Sequence, residues 1–220
     1  MIPLNKKKYT AAAAAIVILL ATACNSVFTP KPKGYFKIDL PQHQYVQFAQ
    51  PGFPYTFEYP VYANIVQDST YFDYVPENPY WRNIDFPQFN CKLFLSYKTV
   101  GGKAVFRKPL PDGTFKDSIG VNIFDKMVAD AFKLTYKNEV AASKIDDSLL
   151  RTPNGVSGVY FKVKGNAATA RQFFLSDTSQ HFLRGALYFH ATPNADSLAP
   201  VLSFLEQDIR HIISTFKWVK

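Results

Sequence analysis

The chain has 220 residues, a formal net charge of +8, and 47% hydrophobic and 16% aromatic side chains. Such a composition can bury a sizeable core and excludes intrinsic disorder. No dense basic cluster follows Lys8, which argues against the basic stripe of a nucleic-acid interface, and two cysteines with four scattered histidines exclude the familiar zinc spacings.

The chain opens on Lys6, Lys7 and Lys8, continues through an apolar run from Ala11 to Ala21, and closes on Leu20-Ala21-Thr22-Ala23-Cys24, with small residues at 21–23 before the cysteine. A charged start, a short apolar core and small residues before a break are the parts of a secretory signal peptide. The run is about eleven residues, short of the roughly twenty that cross a bilayer as a helix. Cysteine directly after the small residues makes it a bacterial lipoprotein signal, because the thiol accepts a diacylglycerol before cleavage and the freed amine is then acylated. Acyl chains contribute about 0.8 kcal/mol per buried methylene, and more than one chain anchors stably. Residues 1–23 are therefore read as a lipoprotein signal peptide, 24–33 as a lipidated tether bearing Pro30 and Pro32, and 34–220 as a single domain. Loss of three lysines and no acid with the leader lowers the net charge by three, to +5. With lipid on Cys24, Cys91 has no intramolecular partner and reads as a buried core thiol in a strand-like run.

Beyond the tether, Gly34 to Pro41 and Tyr45 to Phe48 are extended, and Tyr55 to Pro60 alternates along a short strand. Val61 to Val66 and Asn83 to Phe86 are further strands, separated by a proline-bearing loop at Asp73 to Tyr80. Aromatic density from Phe53 to Phe89 reads as core packing. Gly101 to Gly120, with Pro109-Leu110-Pro111-Asp112-Gly113, is a long loop or a hairpin insertion. Phe124, Met127, Val128, Ala131 and Thr135 then fall on one helical face, predicting a helix from about Asp117 to Lys137. Glu139 to Asp146 is the next predicted strand. Val156 to Lys164, Thr169 to Ser176 and His181 to His190 follow as an antiparallel meander with short joins. The last element is an amphipathic helix whose stripe runs from Leu198 through Leu205, Ile209 and Ile212 to Phe216. Asp196 or Ser197 is the expected cap and Pro200 falls in the first turn, with Glu206, Gln207, Arg210 and Ser214 on a solvated face. The order predicts an α+β fold, a mostly antiparallel sheet covered by helices, resembling by analogy the PsbP/Mog1-like sandwich.

Catalytic patterns are absent: there is no Gly-x-Ser-x-Gly, His-Glu-x-x-His, P-loop or Gly-x-Gly-x-x-Gly. Asp146 and Asp147 are adjacent on a strand and point to opposite faces, as do His181 and His190; His211 falls on the polar side of the last helix. The best polar cluster is Arg171, Gln172, Asp177, His181 and Arg184, which brackets one hairpin and can converge there.

Several stretches together resemble the gliding-motility lipoprotein GldD family. They are Pro30-Lys31-Pro32-Lys33-Gly34-Tyr35-Phe36-Lys37-Ile38-Asp39-Leu40-Pro41, Tyr55 to Pro60, Trp81 to Pro87, Leu95 to Lys98, Gly165 to Ala168 and Gln172 to Asp177. The most specific is His181-Phe182-Leu183-Arg184-Gly185-Ala186-Leu187-Tyr188-Phe189, leading into Pro193 to Pro200. Gly101 to Gly120 is the one stretch that looks longer than the family usually has. The resemblance implies a non-catalytic, cofactor-free envelope lipoprotein required for gliding motility and linked to the type IX protein secretion machinery. Its partners would be other envelope proteins of that apparatus and, through the lipid on Cys24, the membrane. Asn25-Ser26-Val27 carries no acidic surface-export tag, so the expected location is periplasm-facing, with the inner leaflet of the outer membrane favoured over the inner membrane. Candidate contact residues are Tyr35 and Phe36 at the domain entrance and Arg171, Asp177, His181 and Arg184 on the hairpin. A periplasmic small-ligand or glycan-binding lipoprotein, and an envelope hydrolase, are the alternative readings. A His–carboxylate pair in a pocket would favour the hydrolase, and a deep apolar cleft the binder.

Overall fold

In the computed structural model the structure describes residues 37–67 and 78–219; the leader, Cys24, the tether, Tyr35, Phe36 and residues 68–77 lie outside them. The chain groups into two units, Met1–Ile38 and Asp39–Lys220, and all of the elements described here belong to the second.

Seven antiparallel strands form the main sheet in the order β3-β4-β5-β11-β10-β9-β8. They are β3 (Asn64–Val66), β4 (Arg82–Phe86), β5 (Cys91–Thr99), β8 (Ala142–Arg151), β9 (Ser157–Gly165), β10 (Thr169–Ser176) and β11 (His181–Phe189). A smaller sheet pairs β1 (Tyr45–Phe48), β2 (Tyr55–Pro60) and β12 (Lys217–Trp218). The strand-like run at Cys91 is β5, and burial alternates along it: Cys91, Leu93, Leu95 and Tyr97 are buried on one face, while Lys92, Phe94, Ser96 and Lys98 stand half-buried on the other. Each face has its own core. On the first, the sheet meets the small sheet and helix α2 (Ala195–Thr215) in a cluster built on Tyr55, Phe57, Leu93, Leu183, Leu205, Ile212 and Phe216. On the second, helix α1 (Phe124–Tyr136) lays Met127 and Ala131 on Val159, Phe161, Phe174 and Phe182. Two helices on opposite faces of an antiparallel sheet make this an α+β fold.

Close packing fixes one glycine. Gly185 of β11 lies opposite Phe173 of β10, and a Cβ at Gly185 would stand 2.3 Å from the fully buried Phe173 ring. Only a residue without a side chain fits under that ring.

Several predicted boundaries shift, each for a local reason. Gly101 to Gly120 resolves as a hairpin, β6 (Lys103–Pro109) with β7 (Phe115–Val121), in a two-stranded sheet of its own. The predicted start of the first helix at Asp117 is wrong, because Asp117 to Val121 is hydrogen-bonded to β6 and the helix begins only at Phe124. Val61 to Val66 contributes only Asn64–Val66, since Ala63 N–H closes a turn onto the Pro60 carbonyl. The strand predicted at Glu139 to Asp146 begins at Ala142, after a turn in which Asn138 O accepts from Ala141 and Ala142. The α2 cap is Asn194, whose side chain accepts from Ser197 N–H, in place of Asp196 or Ser197. Asn166 adds a second acceptor, for Ala195 N–H at 2.9 Å. The helix therefore starts earlier, and Pro200 lies beyond its first turn, where it leaves the Asp196 carbonyl without an i+4 donor.

Candidate interaction site

The five residues of the predicted hairpin cluster are divided by the sheet. Arg171 faces α2, where its guanidinium meets Glu206 at 2.9 Å, and Lys162 and Arg210 reach the same carboxylate at 2.5 and 3.1 Å. Glu206 is thus a paired, largely buried carboxylate and not part of a solvated face, because Lys162 and Arg171 of β9 and β10 rise beneath it. Burial opposes its ionisation, but the three cations outweigh that and hold its carboxyl below the ordinary value. Asp177 performs turn chemistry, its Oδ1 accepting from the backbone N–H groups of Ser179, Gln180 and His181. His181 bonds through Nδ1 to the Tyr97 hydroxyl at 2.6 Å and stacks on Trp218.

Gln172 and Arg184 face the opposite way, towards α1. Gln172 is 1% exposed; its amide donates to Thr169 Oγ1 at 2.7 Å and its carbonyl accepts from Thr135 Oγ1 of α1 at 3.3 Å. The same carbonyl accepts from the Arg184 guanidinium. Arg184 is therefore aimed by a buried amide, and it lies in a groove of about 510 Å³ between α1 and the neighbouring strands. Met127 and Phe182 are buried in its floor and Trp81 stands at its wall. Lys98 of β5 faces Phe182 across the strands, and Ser96 faces Arg184. Along α1 the rim carries Lys126, Asp130, Lys133 and Lys137.

A second polar constellation was not legible as a site. Asp208 of α2 is fully buried; its Oδ1 accepts from His43 Nδ1 at 2.7 Å and from the Tyr45 hydroxyl at 3.0 Å, and its Oδ2 accepts from Tyr62. Burial, and then the Asp208 carboxylate, push both phenols well above their ordinary range, so both remain donors. One sequence signal was available: Asp208 sits three residues after Leu205 and four before Ile212, a charge inside the apolar stripe. This is a His–carboxylate pair, the feature that would favour a hydrolase. But the carboxylate is sealed from solvent and both its oxygens are engaged, so it acts as a latch tying β1 and the β2–β3 turn to α2. Beside it His211, predicted on the polar side of the helix, bonds Glu58 at 2.7 Å and stacks on Tyr45 at 3.5 Å.

Cys91 is buried in the core, and burial pushes its thiol up to about 12. Asp146 pairs with Lys144 and Lys164, and no group of metal-ligating side chains occurs among the described residues. Nor is any described helix long and apolar enough to cross a membrane.

No curated protein matches the chain. Among solved structures it is similar to the solution structure of cyanobacterial PsbP (CyanoP) from Synechocystis sp. PCC 6803, with a TM-score of 0.41 and 12% identity, over 86% of this chain and 99% of that one. A family model described as gliding motility lipoprotein GldD matches residues 25–218.

Proposed function

We propose a function for this chain on the premise that it belongs to the gliding motility lipoprotein GldD family. It acts as a non-catalytic assembly component of the motility apparatus and of the associated type IX protein secretion machinery. Lipid on Cys24 holds it at the periplasmic face of the envelope, and the folded domain binds another envelope protein. The observation that carries this reading is the placement of Arg184: a cation in the most family-like stretch of the sequence, aimed by buried Gln172 into a groove lined by further cations. Arginine and aromatic side chains set in such pockets dominate interface energies.

Deleting the gene and complementing it with Arg184→Glu or Tyr35→Ala tests the reading. With protein levels matched to wild type, Arg184→Glu should fail to restore spreading and secretion. Full restoration by both variants would remove both surfaces, and a purified chain that turns over a cell-wall or ester substrate in step with complementation would overturn the non-catalytic role. For the anchor, Cys24→Ser should leave the precursor unprocessed and without acyl label, because oxygen cannot form the thioether. Protease treatment of intact cells should spare the domain; its removal would place it on the outer surface.

A further inference from the structure

The α1 groove has a chemistry that narrows what the proposed assembly role recognises. Among the described residues Lys98, Lys126, Lys133, Lys137 and Arg184 line it, with one acid, Asp130. On α1 and its C-cap, Lys126, Lys133 and Lys137 are spaced i, i+7 and i+11, so they share one flank of the helix, with Asp130 between them at i+4, and spread over about 16 Å at 1.5 Å per residue. The opposite wall carries Lys98 on β5 and Arg184 on β11, which are diagonal to one another, two positions apart in the paired register. Between the two cationic walls, the floor is the apolar side of Met127 and Phe182. Arg184 is pre-placed by the Gln172, Thr169 and Thr135 network, so little ordering remains to be done when a ligand arrives.

We propose that this groove binds an extended, acidic segment of a partner envelope protein. The inference rests on the assembly reading above and adds the class of ligand. A row of cations about 16 Å long matches about five residues of extended chain at 3.3 Å each. A strand alternating carboxylates with apolar side chains would turn the first towards the lysines and the second onto Met127 and Phe182. A single lipid phosphate would engage one end of the row and leave the rest unmatched. Outward along the hairpin the surface is mixed: Val121 lines the groove, and exposed Val105, Phe115 and Ile119 share its face of the β6–β7 sheet with Lys103 and Asp117.

The test uses the full-length Cys24→Ser chain in detergent and a fluorescent six-residue peptide alternating Glu with Leu, read by anisotropy. The Glu peptide should bind at least tenfold more tightly than its Lys counterpart, and should weaken at least tenfold between low and high salt. Lys133→Glu combined with Lys137→Glu changes two exposed side chains and leaves the fold intact by circular dichroism; it should abolish the preference. Arg184→Gln should weaken binding as well, but Lys133 and Lys137 keep the test independent of any loss of folding. Equal binding of both peptides, an unchanged affinity in the double variant, or displacement of the peptide by phosphatidylglycerol in the micelle would each overturn the inference. Failure of the peptide to bind, with Arg184→Glu still defective in cells, would remove the acidic ligand and keep the assembly role. Peptide binding, with full complementation by Arg184→Glu and by the lysine double variant, would remove the assembly role from this surface.

Discussion

Asp208 shows what one residue contributes when it is buried as a charge. Three donors, from His43, Tyr45 and Tyr62, compensate the desolvation of its carboxylate, and removing one leaves part of that cost standing. Tyr62→Phe should lower stability by about 1.5–3 kcal/mol in urea unfolding, the range for a hydrogen bond to a charged group. Gly185→Ala tests a contact of a different kind, since its methyl would enter the space of the Phe173 ring. Overpacking there should cost about 1–3 kcal/mol, and a variant of unchanged stability would show that the ring can move aside. Cys91 lies in the same core, and with its thiol held up to about 12 it should be silent to Ellman's reagent in a folded Cys24→Ser chain and react once the chain is unfolded. Such roles were the least legible in the sequence. Glu206 reads as solvated from its helical position, and only the register of β9 and β10 brings Lys162 and Arg171 beneath it.

At the scale of elements, periodicity carried most of the information. β2 and β10 keep the limits that alternation assigns to Tyr55–Pro60 and Thr169–Ser176, because both strands are bounded by turns that stop the pattern. The start of α1 was misread because Asp117 to Val121 has no residue that forbids a helix, and its pairing with β6 is a tertiary fact. The centre of the α2 stripe was legible: Val201, Leu205, Ile209, Ile212 and Ile213 are all buried, whereas Leu198 and Leu202 are half-buried and Phe216 is buried beyond the helix end at Thr215. Leu205→Ala should cost about 2–5 kcal/mol, and Ile212→Asp should abolish folding, both measured as loss of soluble, protease-resistant protein. The Glu206 cluster pins the same helix to the sheet and makes that attachment depend on pH. The folded-state value lies below the ordinary 4.5, so the stabilisation is complete above that value and fades as pH falls through the lower, folded one. The urea midpoints of wild type and Glu206→Gln should therefore differ at pH 7 and draw together as the pH falls below 4.5 and through the lower, folded-state value.

For the whole molecule, the α+β class followed from the order of elements, whereas the groove did not. Its lining comes from Trp81, Lys98, α1 and Arg184, and only the pairing of β5 with β11, across about ninety residues of sequence, brings them together. The hairpin, by contrast, pairs only with itself. Gly101 N–H bonds the Asn122 carbonyl at 2.8 Å and Asn122 N–H the Gly102 carbonyl at 2.9 Å, so its base is already closed. Replacing residues 103–121 with a short glycine–serine link should leave the main sheet intact, because neither strand belongs to that sheet, and should lower the urea midpoint only by the loss of the buried Ala104 and the groove contact of Val121. The Asp208 latch has a mechanical consequence. A lipoprotein held through its N-terminal side takes any pull into the stretch that begins at Asp39, and the bonds of His43 and Tyr45 to Asp208 pass that tension from the head of the domain into its last helix. Load is shared by two ends of the sequence instead of peeling β1 from β2, so in single-molecule pulling Asp208→Asn should lower the force at which the domain first yields, more than its loss of equilibrium stability alone accounts for.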